Sequence, residues 1–307
     1  MERRTLTRLA ASDATALGVV RALVSGVFLA SVLLTNFTNL GRLPATLLRP
    51  AGFMQLVPWP LYDAVMTPRG MFALMCLMSV SLLLSAAGLW TRATTKTSAL
   101  LVLFYQGLLR GLGHFNHDEM LGVYYLVVLA FSPCGDGFSL DGALRRGRAR
   151  ARLSEVAYGY PVLLMRALMA WAYFSSALVK LRFSGARYFG PDTLPGLAAQ
   201  HSLDNLHDTR FRYAFRLLDH GAYTTPLVVL VVAWELLFPL AVFSKRARWW
   251  LLGFGVAFHV STLFLMNIFF PHFLAMYLVF VDWRAAAARL RGWRGRRCAR
   301  AESARAG

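Results

Sequence analysis

At 307 residues, 57% of them hydrophobic and with a positive mean hydropathy, the chain is too apolar for an ordinary soluble domain. Its formal net charge of +18 does not mark a nucleic-acid binder, because the arginines lie in loops and tails between apolar runs. Three cysteines, Cys76, Cys134 and Cys298, form no CxxC and give neither a disulfide framework nor a thiol redox motif.

The composition predicts an all-α, polytopic transmembrane bundle of about eight spans. Apolar runs place them near 16–35, 70–89, 97–113, 119–132, 161–180, 226–243, 248–267 and 270–283. Arg3, Arg4 and Arg8 precede the first run, which has spanning length and no clear cleavage site, so it reads as a retained helix. With the N-terminus inside, 21 of the 33 cations fall on the cytoplasmic side, including the Arg145–Arg152 run and Lys245, Arg246 and Arg248. Both termini are therefore predicted cytoplasmic, with one membrane domain over 1–288 and a basic tail over 289–307 resting on anionic lipid. Arginine-rich, lysine-poor composition suggests a GC-rich bacterium and hence its inner membrane.

Two outer loops are long. Residues 36–68 carry Pro44, Pro50, Pro58 and Pro60 with Trp59 and Tyr62, as expected of an irregular segment anchored at the interface. In residues 181–225, Phe211, Phe215 and Leu218 fall at i, i+4 and i+7 and predict a helix lying flat on the membrane.

The run from Pro161 to Asp192 organises the rest. Arg166, Tyr173 and Lys180 are seven apart and share a face with the small Ala170 and Ala177, so that face looks toward other helices. Trp171, Phe174 and Leu178 fall elsewhere and can meet lipid. Only three lysines stand against thirty arginines, and a buried lysine can lose its proton where an arginine cannot. Lys180 is thus a candidate base, with snorkelling to the headgroups as the plain alternative. Arg166 lies about 21 Å back along the helix. Glu235, the one acid well inside a span, is its expected structural partner.

All seven histidines lie on the predicted outer side or within a span. His114 and His117, in HFNHDE, mark one outer turn, and Asn267 and His272 border another. His259 lies in mid-span, where a packing role is the ordinary one. His114 and His117 with Asp118 or His272 make a weaker metal-site alternative, and no metal is assigned.

Three stretches, in order, resemble a known family. They are NHDEMLGVYYLVVLAFSPCGDGFSLDGAL from Asn116, LMRALMAWAYFSSALVKL from Leu164, and WELLFPL from Trp234 with FHVSTLFLMNIFFPHFLAMYLVF from Phe258. Together they are similar to the horizontally transferred transmembrane (HTTM) domain of the vitamin K-dependent γ-carboxylases. That resemblance implies that Lys180 deprotonates a membrane quinol, with His117 steering the oxyanion and Asn116 beside it, and His259 matches a family histidine; with Tyr173 on the Lys180 face and Asn267 at the outer turn, His259 is expected to bind the substrate. It implies a quinol oxygenase or carboxylase-like lyase using reduced menaquinone or vitamin K hydroquinone, facing away from the cytosol. The expected partners are membrane lipids, the quinone and a protein or peptide on the outer side. The competing expectation is a non-catalytic membrane protein that binds or stabilises a partner.

Overall fold

The computed structural model describes residues 12–35, 37–113, 117–144, 153–204, 221–266, 268–286 and 288–289. Of His117, Asp118, residues 202–204 and Gly221 it describes the backbone alone. The fold is all-α, with no strand among the described residues. Its helices are α1 (Ala14–Leu34), α2 (Trp59–Val65), α3 (Pro68–Ala87), α4 (Thr91–Gly111), α5 (His117–Ala130) and α6 (Leu140–Leu144). There follow α7 (Glu155–Ser184), α8 (Thr193–Asp204), α9 (Gly221–Leu237), α10 (Leu240–Phe243), α11 (Lys245–Met266) and α12 (Pro271–Met276).

Four of these are long and apolar enough to cross a membrane: α1, α3, α7 with its 3-10 extension to Phe189, and α11. The apolar stretches in α5, α9 and α12 form shorter helices, so among the described residues four helices of spanning length stand where about eight are expected. The run expected over 226–243 is divided into α9 and α10 because Pro239 supplies no N–H and its ring disfavours helical backbone before it. Where an irregular segment is expected over 36–68, residues 37–56 contain three 3-10 turns and Trp59–Val65 form α2. The helix expected around Phe211–Leu218, the Arg145–Arg152 run and all but the start of the basic tail lie outside the described residues.

Where one domain is expected over 1–288, the chain divides into two compact units. The first holds Met1–Asn116, Tyr125–Val162 and Leu278–Gly307; the second holds His117–Tyr124 and Leu163–Tyr277. In the first, α3 is the centre, packed by α1, α2, α4 and the 3-10 turn Phe37–Arg42. Asp13 caps α1 by accepting from the Ala16 N–H at 2.9 Å, and Thr67 caps α3 by accepting from Gly70 at 3.0 Å. Gly88, at φ 74°, ends α3 in the left-handed conformation that glycine adopts without steric cost.

The same unit contains a fully buried cation within the first expected span. Arg21 donates from Nη1 to the Cys134 carbonyl at 2.8 Å and from Nη2 to the Phe138 carbonyl at 2.6 Å and the Ala86 carbonyl at 3.4 Å. One guanidinium thereby ties the 131–139 turn to α1 and to the end of α3. Asp141 completes the bolt: its carboxylate accepts from the Trp90 and Thr91 N–H groups at 2.9 and 2.7 Å and from the Thr91 hydroxyl at 2.8 Å, capping α4 from another element. In the second unit, α9 packs against α8, α11 and the 3-10 turn Gly185–Phe189, and α8 also meets α11.

Candidate functional site

The second unit gathers most of the described polar candidates. Helical periodicity puts Tyr173, Ser176 and Lys180 on one face of α7, with Ala170 and Ala177 buried beside them. Ala177 packs with Val228 and Val232 of α9 in a local core. Trp171 and Leu178, expected to meet lipid, are exposed.

That approach brings Glu235 onto α7. Lys180 Nζ donates to Glu235 Oε1 at 2.5 Å, and the Ser176 hydroxyl donates to the same oxygen at 3.2 Å. The Glu235 side chain is 4% exposed and that of Lys180 is 21% exposed, so the pair is largely sequestered from bulk solvent. Glu235 Oε2 is buried and has no hydrogen-bond partner among the described residues. The Tyr188 ring lies 5.9 Å from Lys180 Nζ.

A second polar chain lies on the same α7 face. Tyr173 Oη is 2.7 Å from His259 Nε2 on α11 and 2.6 Å from the Tyr277 hydroxyl. Trp234, Phe238 and Phe273 pack around the Tyr173 ring at centroid distances of 4.6, 4.4 and 5.6 Å. His259 Nδ1 is buried with no partner among the described residues. Neither direction of the chain satisfies every group. If Tyr173 donates to Nε2, Nδ1 carries the proton and finds no acceptor; if Nε2 donates, the Nδ1 lone pair goes unused. Gly255 makes room for this chain, since a Cβ there would stand 2.1 Å from the Tyr277 hydroxyl.

Two expectations are revised. Glu235 takes Lys180 as its cation, so the Arg166–Glu235 ion pair expected from sequence is not formed. The edge of the apolar run puts Lys180 at the end of its span, but α7 continues past Lys180 to Ser184, and α9 begins at Gly221, before the run at 226. Lys180 accordingly sits about 6 Å inside the end of α7 rather than at it.

Tyr173 and His259 are brought together as substrate-lining candidates, while Asn116 and Asn267 lie outside the described residues. His117 opens α5, with only its backbone described. Of the metal alternative, His272 is buried and His114 lies outside the described residues. Among the described residues no three His, Cys, Asp or Glu side chains converge. Burial pushes the Cys134 thiol up, away from thiolate chemistry.

Tyr277 and Ser176 are the participants that sequence reasoning does not single out. The only signal for Ser176 is its place between Tyr173 and Lys180 on the helical face. For Tyr277 it is a hydroxyl-bearing ring in an otherwise apolar run, which reads as packing. No protein-family model matches this chain, and neither a curated protein nor a solved structure matches it.

Proposed function

We propose that the chain is a polytopic inner-membrane enzyme of HTTM-like kind. In this reading the Lys180–Glu235 pair takes a proton from a lipid-soluble weak acid, with a membrane quinol such as reduced menaquinone as the substrate class. The observation that carries this is the buried carboxylate with one oxygen committed to Lys180 and Ser176 and the other left open. A quinol hydroxyl meeting Oε2 gives up its proton there, and the electron pair of the O–H bond remains on the quinol oxygen. The Lys180 ammonium stays beside the anion and offsets its charge, an interaction strengthened by the low local dielectric. Lys180 is thus the charged half of the base, with Glu235 as the proton acceptor that the family resemblance alone does not name.

Tyr188, half-buried beside Lys180, supplies an aromatic face for a flat ring system. Tyr173 and His259 offer further hydrogen-bonding groups. His117 and Asn116 join the site by resemblance and Asn267 by its place at an outer turn, while the apolar runs and the distribution of cations support about eight spans, an outward-facing site and both termini in the cytoplasm.

The test is aerobic incubation of the purified protein with reduced menaquinone, reading quinone epoxide by mass spectrometry. Wild type is expected to form epoxide, and Lys180→Ala and Glu235→Gln to form none. No epoxide from folded wild type removes the reading. A second reading is favoured by the short Lys180–Glu235 contact itself, which fits a structural cross-link between α7 and α9 in a non-catalytic membrane protein with an outer-side partner. Epoxide formation undiminished in both variants would leave that role as the only one for the pair.

A further inference from the structure

In the first unit a cavity of about 810 Å³ opens between the start of α4 and the turn after α5, walled by Trp90, Arg92, Lys96, Phe131 and Asp136 among others. Arg92 and Lys96 are four residues apart on α4 and so project from one face; both are exposed. Neither has a carboxylate at ion-pair distance among the described residues. Lys96 Nζ stands 5.9 Å over the Phe131 ring.

The acids on the same wall are already engaged. Both oxygens of Asp141 are held by the first N–H groups of α4 and by Thr91, and Asp136 accepts from the Tyr158 hydroxyl at 3.0 Å. The Trp90 and Thr91 N–H groups are therefore taken, and the groups left to meet an anion in the cavity are the Arg92 and Lys96 side chains, across from the hydrogen-bonded carboxylates. Arg21 holds the 131–139 turn, so this wall is preformed.

Its level in a bilayer follows from length. Helix α3 has 20 residues and spans about 30 Å, matching the hydrocarbon thickness, so the Gly88–Trp90 turn comes at a headgroup boundary. Trp90 and Phe131 are exposed on the rim, the placement that interfacial aromatics take. A cationic rim of this kind, aromatic and set at the membrane surface, matches an amphiphile with an anionic head.

We infer that this cavity seats the phosphate headgroup of an acidic phospholipid, held by Arg92 and Lys96, with Trp90 and Phe131 against the start of its acyl chains. The site is independent of the Lys180–Glu235 chemistry.

Native mass spectrometry of the full chain in neutral detergent tests it. With phosphatidylglycerol and phosphatidylcholine added in equal amounts, wild type is expected to retain the anionic lipid by about fivefold or more over the zwitterionic one. R92Q/K96Q is expected to lose that preference. R182Q/R187Q, which removes exposed cations of the other unit, is expected to keep it. K96Q alone, expected to lose part of the preference, guards against a folding defect in the double variant. Equal retention of both lipids by wild type overturns the site, as does an equal loss in R182Q/R187Q or an unchanged preference in R92Q/K96Q. A further arm offers inorganic phosphate without lipid. A thermal stabilisation by phosphate that R92Q/K96Q abolishes, with lipid retention unaltered, assigns the cavity to a soluble phosphate compound and overturns the lipid assignment.

Discussion

Each unit carries a cation into an apolar helix, Arg21 in the first and Lys180 in the second, and the surroundings answer the charge differently. Arg21 is completely buried and is met by three backbone carbonyls, a geometry that suits the rigid, multi-donor guanidinium. Nothing in that arrangement can take up a proton, and its product is a fixed turn. Lys180 is partly accessible and is met by a carboxylate with a second oxygen to spare. The difference teaches that a buried cation met by carbonyls leaves no group to titrate, whereas one met by a carboxylate with an unused oxygen keeps a group able to take up a proton.

The largest expected effect breaks the first half of that comparison. Arg21→Leu strands three carbonyls and is expected to cost about 3–5 kcal/mol, read as a lower unfolding midpoint in detergent. An unfolding midpoint near wild type would show that the 131–139 turn does not depend on the guanidinium.

Lys180→Met leaves Glu235 buried without its cation and is expected to cost about 2–4 kcal/mol. The double variant Lys180→Met/Glu235→Leu is expected to recover most of that stability while forming no epoxide. Stability and chemistry would then separate in the second unit, whereas Arg21 variants would move stability alone.

Two glycines sharpen the contrast at smaller cost. At Gly18 a Cβ would stand 1.9 Å from the backbone oxygen of Gly137, which cannot swing aside, so Gly18→Ala is expected to destabilise by about 1–3 kcal/mol. At Gly255 the obstruction is the tip of the Tyr277 side chain. Gly255→Ala is therefore expected to cost less, but to break the Tyr277–Tyr173 bond, visible as a changed tyrosine ultraviolet spectrum. Smallest is Tyr277→Phe, which removes one neutral hydrogen bond and is expected to cost about 1 kcal/mol in the same unfolding measurement.

Much of the site was legible in the chain because helical periodicity is a local property. Tyr173 and Lys180, seven apart, do share a face, and Ala177 between them is buried. His259 was recognisable as an unusual mid-span group, and it is the residue that Tyr173 meets. The pairing of Glu235 was not legible. It depends on how far α7 and α9 run past their apolar cores and on their relative register, and hydropathy marks neither. The two-unit division was equally hidden, since two of its four boundaries fall inside α5 and α7 rather than in a linker.

By itself the sequence determined an all-helical, membrane-compatible chain and the helix faces on which Tyr173 and Lys180 stand, but not which apolar runs form helices of spanning length. What it determined follows from local composition and from the 3.6-residue repeat. Only the tertiary structure decided that Arg21 would clamp a turn, that Asp141 would cap a helix fifty residues away, and that Lys180 would meet Glu235 rather than leave it to Arg166. Those outcomes depend on which helix faces come within hydrogen-bond reach, and that distance belongs to the packed chain.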